Sequence, residues 1–140
     1  MNTGMRGSIL VIEDHELMRN ALRDSLSEPF LDWQILTAGT GEEGLALFRE
    51  HRPRVVVMDL NLPGITGIEA TRQIKALLPA TAIVMCSLSD DPAQRVAASE
   101  AGADEWIPKD VAFDVLVPAV RRHLIPLPPE SQNSDECRKP

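Results

Sequence analysis

Short apolar runs alternate along the chain with segments in which apolar residues recur every three or four positions. The runs predict strands buried on both faces, and the recurring pattern predicts helices with one buried side. The predicted strands are 8–13, 33–38, 55–59, 81–86 and 104–107, and the predicted helices are 16–26, 40–51, 66–78, 91–102 and 111–124. Five strands that alternate with five helices predict an α/β fold, with a parallel sheet, right-handed crossovers and helices on both faces.

Local signals mark several helix ends. Thr40 and Thr66 each precede a glutamate by three positions, which is the spacing of a capping box. Gly102 stands where the fourth helix should end in a left-handed residue. The periodicity also places Leu17 of the first helix and Leu77 of the third on buried faces.

A chain of 140 residues supports one domain with a two-sided core. The pattern places this domain at 8–124. Residues 1–7 and the proline-rich polar tail, 125–140, are expected to be disordered because they offer little to bury.

Charge and composition exclude several classes of function. A net charge of -7 without a lysine or arginine cluster argues against direct nucleic-acid binding by this chain. There is no apolar run of about 20 residues and no signal peptide, so neither a membrane-spanning protein nor a secreted one is expected. Cys86 lies in an apolar run and Cys137 in the polar tail, so we expect no structural disulfide and a cytoplasmic location.

Polar residues stand at the carboxyl ends of four predicted strands. They are Glu13 with Asp14, Asp59, Ser87 and Lys109. In a doubly wound sheet these ends converge on one crevice, although Asp59 taken alone could simply terminate its strand. Three crowded carboxylates need a cation, and hard oxygen ligands suit Mg²⁺. Lys109 and the Ser87 hydroxyl could meet an anion, so one carboxylate could accept a phosphoryl group.

These residues, with the Asp-Leu-Asn-Leu-Pro-Gly segment that begins at Asp59, resemble the receiver domain of bacterial two-component response regulators over 8–124. The resemblance implies a flavodoxin-like, doubly wound five-stranded sheet in the order 2-1-3-4-5. It implies that Asp59 accepts a phosphoryl group from a sensor histidine kinase or a phosphotransfer protein. Such a domain is not a conventional enzyme, although it assists its own phosphorylation and dephosphorylation.

The resemblance also assigns roles to the other site residues. Asp14, Asp59 and the backbone carbonyl of Asn61 would hold Mg²⁺, with Glu13 acting largely through water. Ser87 and Lys109 would bind the phosphoryl oxygens and transmit the change. An output protein or a second copy of the chain would bind the surface made by the last two helices and the fifth strand.

The chain departs from the family pattern at three positions. Trp106 stands where the family has tyrosine or phenylalanine, so inward rotation of that ring is not expected. Pro108 lies in the fifth strand, which should therefore be a sheet edge. Pro118 lies in the last helix, which should start late or kink there.

The sequence is compatible with several roles for this domain. The Glu-Asp-His opening at Glu13 and the Lys109-Asp110 pair resemble a subgroup that usually carries a C-terminal helix-turn-helix, yet only about sixteen residues follow Leu124. The chain could act alone, or it could be the receiver half of a transcription factor without its DNA-binding domain. Other possibilities are a docking module that is never phosphorylated and a flavodoxin-like cofactor binder.

Two further patterns carry less weight. Residues 39–44 match the dinucleotide fingerprint G-x-G-x-x-G, but they follow the second strand and contain two glutamates, so close helix packing at Gly44 is the better interpretation. The three histidines do not cluster in the sequence, so a histidine metal site is not expected.

Overall fold

The computed structural model describes residues 5–124, and its five strands form one parallel sheet. The strands are β1 Gly7–Ile12, β2 Trp33–Ala38, β3 Val55–Asp59, β4 Ala82–Ser87 and β5 Glu105–Pro108, in the order β2-β1-β3-β4-β5. The helices are α1 Glu16–Ser27, α2 Gly41–His51, α3 Gly67–Leu77, α4 Pro92–Ala101 and α5 Ala112–Leu124. The predicted α/β class, the strand order and the parallel sheet are confirmed. The predicted disorder of 1–4 and 125–140 concerns residues outside those described, but Gly7, which was expected to be disordered, is the first residue of β1 and pairs with Trp33.

The core has two layers, one on each face of the sheet. Side chains of α1 and α5, such as Leu22 and Leu116, pack with one face of the strands. Side chains of α2, α3 and α4, such as Phe48 and Ile74, pack with the other. The central strands β1, β3 and β4 are buried on both sides because helices cover both faces, which explains their continuous apolar runs.

Both predicted helix caps form on the threonine side, but the hydrogen bonds of the two glutamates do not follow the capping-box pattern. The Thr40 and Thr66 hydroxyls accept the N–H groups of Glu43 and Glu69 at 3.0 and 3.1 Å. The Glu43 carboxylate accepts the N–H of Gly39 at 2.9 Å, one residue before the cap. In each cap, the threonine hydroxyl therefore satisfies one backbone N–H of its own helix.

Gly44 packs directly against β1. A Cβ atom at this position would lie 2.3 Å from Cδ1 of Ile12, a distance that no side chain can tolerate. The close packing predicted for Gly44 is confirmed, and this helix packing accounts for the last glycine of the fingerprint pattern.

Two apolar residues are not on the buried faces that the sequence predicted. Leu17 is 78% exposed and Leu77 is 51% exposed. Leu17 lies about 140° around α1 from Leu22, at 3.6 residues per turn. Leu77 is in the last turn of α3, at the margin of its apolar stripe. Helical spacing alone predicted that both residues are buried. Only the side chains on the arc of each helix that faces the sheet are buried.

Pro108 and Pro118 lie where the fold accommodates the missing backbone N–H. Pro108 ends the edge strand β5, in register with Ser87, so the missing N–H interrupts no pairing on a second side. Helix α5 begins at Ala112 and continues through Pro118, so the late start is wrong, and the kink, the other predicted outcome, stays a prediction. Pro118 gives no N–H to the carbonyl of Asp114, and this is the cost of keeping the helix continuous. Within residues 5–124, no helix is long and apolar enough to cross a membrane.

Candidate functional site

Three strand ends bring charged side chains together at the carboxyl edge of the sheet. Glu13 follows β1, Asp59 is the last residue of β3, and Lys109 follows β5. The Lys109 Nζ lies 2.9 Å from Glu13 Oε1 and 3.2 Å from Asp59 Oδ1. Glu13 and Asp59 are 1% and 4% exposed, so both carboxylates are largely withdrawn from water.

Lys109 is held as a cation by these two partners. Burial alone lowers the pKa of Lys109, but the hydrogen bond that Lys109 donates to Glu13 and the charge of Asp59 outweigh it and raise the pKa above its usual value. The ammonium group therefore stays charged over the physiological pH range.

Asp59 is short of positive charge. Burial, followed by the nearby Glu13 carboxylate, raises the pKa of Asp59 to about 7, although Lys109 acts in the opposite direction. Oxygen atoms of Glu13, Asp14 and Asp59 all lie within 4.8 Å of one another. Three carboxylates beside one ammonium leave an excess of negative charge that a divalent cation would balance.

Backbone turns fix the directions of the two buried carboxylates. The N–H of His15 donates to Glu13 Oε2 at 3.1 Å, and the N–H of Asn61 donates to Asp59 Oδ1 at 3.3 Å. The guanidinium of Arg19 on α1 donates to the backbone carbonyl of Glu13 at 3.0 Å. Each carboxylate is thus positioned by the turn that follows its own strand.

Ser87 ends β4, one residue past Cys86, the register partner of Asp59. It is buried, and its hydroxyl accepts the N–H of Ser89 at 2.9 Å. Within the described residues, the Ser87 side chain makes this hydrogen bond and none to the carboxylates, so Ser87 lies near the carboxylate cluster without contacting it. Asn61, by contrast, is exposed and borders the cavity above Asp59.

A cavity of about 420 Å³ opens above the carboxylates. Besides the charged residues, it is lined by Met18 of α1, Leu88 after β4 and Phe113 of α5. Leu88 is 81% exposed and Phe113 is 52% exposed. Sequence reasoning missed this apolar rim; the available signal was a leucine directly after a strand-end serine.

Trp106 lies on β5, away from this cavity, and is half-buried. The Arg95 guanidinium lies 5.7 Å from the centre of its ring, within cation–π range. The indole Nε1 is buried without a hydrogen-bond partner in the described part of the chain.

The donor set at the strand ends fits a hard divalent cation. It offers carboxylate oxygens from Glu13, Asp14 and Asp59, and Mg²⁺ prefers oxygen ligands while keeping several waters. Within residues 5–124 this is the sole grouping of three or more potential metal-ligating side chains, and all three are carboxylates.

The fold and this site define a receiver-type α/β domain, and comparison with known proteins gives its family. The family model "Response regulator receiver domain" matches residues 9–121, and the chain belongs to this family of two-component signalling proteins. The match lies inside the predicted domain, 8–124.

Individual relatives agree with this assignment. Transcriptional regulatory protein AfsQ1 of Streptomyces coelicolor is 39% identical over 119 residues, which cover 84% of this chain and 51% of the relative. Response regulator MprA of Mycobacterium sp. (strain KMS) is 35% identical over 116 residues, which cover 83% of this chain and 50% of the relative. The chain thus spans about half the length of these curated relatives. A solved two-component response regulator of the LuxR family from Aurantimonas sp. SI85-9A1 is 34% identical, with a TM-score of 0.75 and 83% of each chain covered.

Proposed function

We propose that the domain at 8–124 accepts a phosphoryl group on Asp59 from a sensor histidine kinase or a phosphotransfer protein, in a reaction that depends on Mg²⁺. The observation that carries this proposal is the placement of Asp59. Its carboxylate is buried at the floor of an open cavity, 3.2 Å from Lys109 and within 4.8 Å of two other carboxylates.

The chemistry follows from these contacts. A carboxylate oxygen of Asp59 attacks phosphorus, and the bond from phosphorus to the donor's histidine nitrogen breaks with its electron pair on the donor. Lys109 already touches Asp59, so its ammonium can offset the charge that the phosphoryl group brings. Ser87 accepts a hydrogen bond from Ser89 and keeps its own hydroxyl proton to donate to a phosphoryl oxygen.

Asp14, Asp59 and the carbonyl of Asn61 would hold the metal. Glu13 would contribute through water, because its two oxygens already contact Lys109 and the N–H of His15. Bound Mg²⁺ would supply positive charge to balance the carboxylates and the phosphoryl oxygens.

The acceptor assignment is tested by intact-mass measurement after incubation with acetyl phosphate. The parent should gain one phosphoryl group only when Mg²⁺ is present. Asp59→Asn should gain none, because an amide is not a nucleophile of this kind. Equal labelling of Asp59→Asn and the parent would contradict the assignment. A parent with Mg²⁺ that stays unlabelled would instead favour an unphosphorylated docking module.

For the output, we propose that phosphorylation changes the binding of a partner protein or a second copy at the surface formed by α4, β5 and α5. The length of the relatives favours a second possibility, that the chain is the receiver half of a longer transcription factor. A reading frame that continues beyond Pro140 would support it. A cytoplasmic location is part of the proposal because histidine kinases of such systems act on receivers there.

A further inference from the structure

A contact outside the carboxylate cluster joins helix α2 to the β3–α3 turn, residues 60–66. The Glu42 Oε2 accepts a hydrogen bond from the backbone N–H of Ile65 at 3.2 Å, across 23 positions of the chain. Glu42 is in the first turn of α2, and the β3–α3 turn carries Asn61. A side chain of one element thus binds the backbone of a turn at the candidate site.

Two glycines allow this close approach. A Cβ atom at Gly64, where φ is +75°, would lie 2.5 Å from Glu42 Oε2. A Cβ atom at Gly41 would lie 2.5 Å from Cγ1 of Ile65. Both sides of the contact therefore lack side chains that would hold the turn away from α2.

The turn is otherwise fixed mainly at its ends. At one end, the N–H of Asn61 donates to Asp59 Oδ1, and Leu60 and Leu62 are buried. At the other end, the N–H of Gly67 donates to the carbonyl of Leu60 at 3.0 Å. Between these ends, Pro63 and Gly64 are exposed, whereas Ile65 is half-buried and packs against the core, and its N–H is the group that the carboxylate of α2 binds.

We propose that Glu42 is a positioning residue that holds the β3–α3 turn, and with it the Asn61 carbonyl, for Mg²⁺ binding. This inference rests on the proposed function, in which that carbonyl is a metal ligand. Mg²⁺ requires near-ideal octahedral geometry, so a turn free to shift would bind it less well. Glu42 acts through Ile65 and does not touch the metal.

Three variants separate this role from general effects of the substitution. Glu42→Ala removes the acceptor, and Glu42→Gln keeps an acceptor oxygen without the charge. The matched control is Glu43→Ala, which removes a carboxylate from the same helical turn. Glu43 accepts the N–H of Gly39 and makes no hydrogen bond to the β3–α3 turn in the described chain.

Two measurements on each purified protein test the inference. Amide hydrogen exchange of Ile65, followed by NMR without metal, reports whether the turn is held. Titration calorimetry gives the Kd for Mg²⁺, and thermal unfolding is recorded beside both.

Glu42→Ala should exchange the Ile65 amide faster and raise the Kd for Mg²⁺ about three- to tenfold. This is a smaller loss than is typical for a buried residue that hydrogen-bonds to a metal ligand, because Glu42 is exposed. Glu42→Gln should stay within about twofold of the parent, because the hydrogen bond survives. Glu43→Ala should lower the unfolding temperature while leaving the exchange at Ile65 and the Kd within about twofold of the parent.

Several results would overturn the inference. Parent-like Mg²⁺ affinity in Glu42→Ala would do so, and so would an equal loss in Glu43→Ala, which would indicate general loosening. An equal loss in Glu42→Gln would show that charge, not the hydrogen bond, is responsible. A parent that neither binds Mg²⁺ nor gains a phosphoryl group would overturn the proposed function together with the metal role of Glu42. In that case the Ile65 exchange would still decide whether Glu42 holds the turn.

Discussion

Glu13 and Asp59 differ in what their oxygen atoms already contact. Glu13 binds Lys109 through one oxygen and the N–H of His15 through the other, so it serves as a fixed counter-charge. Asp59 has a pKa raised to about 7, first by burial and then by Glu13, so without metal it is partly protonated at neutral pH. A cation beside Asp59 would keep it a carboxylate, which is the form that a nucleophile requires.

Asp14 is the exposed member of the three carboxylates, and its removal should affect metal binding and stability in opposite directions. Asp14→Ala should weaken Mg²⁺ binding more than about tenfold, because it removes a proposed direct ligand, whereas Glu13→Ala should weaken it less. Without metal, Asp14→Ala should unfold at a higher temperature than the parent, because repulsion among the carboxylates falls. The stabilisation should be about 1 kcal/mol or less, since Asp14 is exposed.

Calorimetric titration with Mg²⁺ and thermal melts in a chelator check both parts of this expectation. A lower melting temperature for metal-free Asp14→Ala than for the parent would contradict the repulsion argument. Equal losses of affinity in Asp14→Ala and Glu13→Ala would contradict the assignment of direct and water-mediated ligands.

At the scale of elements, Glu105 joins the edge strand β5 to the last turn of α5. Its carboxylate lies 2.7 Å from Arg122 Nη2 and 2.7 Å from His123 Nε2. Partial burial alone would raise the pKa of Glu105, but the hydrogen bonds from Arg122 and His123 outweigh it and lower the pKa below its usual value. A carboxylate whose pKa is lowered by folding stabilises the fold above its unfolded pKa, and this contribution is lost as pH falls through the folded pKa.

Glu105→Gln should therefore lower the free energy of unfolding at pH 7 by about 0.5–1 kcal/mol, a small value because Arg122 is mostly exposed. The difference from the parent should shrink as pH falls through the folded pKa of Glu105 and vanish once the carboxyl group is protonated in both states. Denaturant unfolding at pH 7 and at a pH below that folded pKa measures it. The control is Glu100→Gln on α4, because Glu100 is exposed and makes no ion pair within the described chain. An equal difference in unfolding free energy at both pH values would show that the stabilisation does not depend on the ionised form of Glu105.

The sequence predicted these elements well because the central strands β1, β3 and β4 are buried on both faces and so carry a continuous apolar signal. It also placed Glu13, Asp14, Asp59 and Lys109 correctly at one edge, since strand ends can be located from where the apolar runs stop. Other features depend on how separate elements pack. The Glu42–Ile65 contact and the apolar rim join residues from different loops and helices, and nothing in local periodicity reports such a meeting. Leu17 was misplaced for a related reason, because spacing does not show how wide a buried arc is.

At the scale of the whole molecule, the site lies at the carboxyl edge of the sheet, and the proposed output surface adjoins it along β5 and its flanking helices, where Trp106 lies. The ring already packs against the core and Arg95, and its Nε1 has no partner in the described chain. Full burial would add indole volume to a close-packed layer, and Pro108 limits adjustment of the strand.

We therefore expect Trp106 to stay half-buried when the domain is activated. The test is the fluorescence of a Trp33→Phe variant, in which Trp106 is the sole indole, with Mg²⁺ and beryllofluoride standing in for the phosphoryl group. Emission and quencher access should change little, while a parallel titration shows that beryllofluoride binds. A large blue shift with loss of quenching would show that the ring does move inward.

Cys86 is the register partner of Asp59 and is completely buried, and burial raises the pKa of its thiol to about 12. A thiol that is both enclosed and protonated reacts with alkylating reagents only when the strands around it separate. Since the chain contains two cysteines, Cys137→Ser leaves Cys86 as its single thiol. The alkylation rate of that variant therefore measures how often the sheet opens beside Asp59, at a thiol that the native sequence already contains.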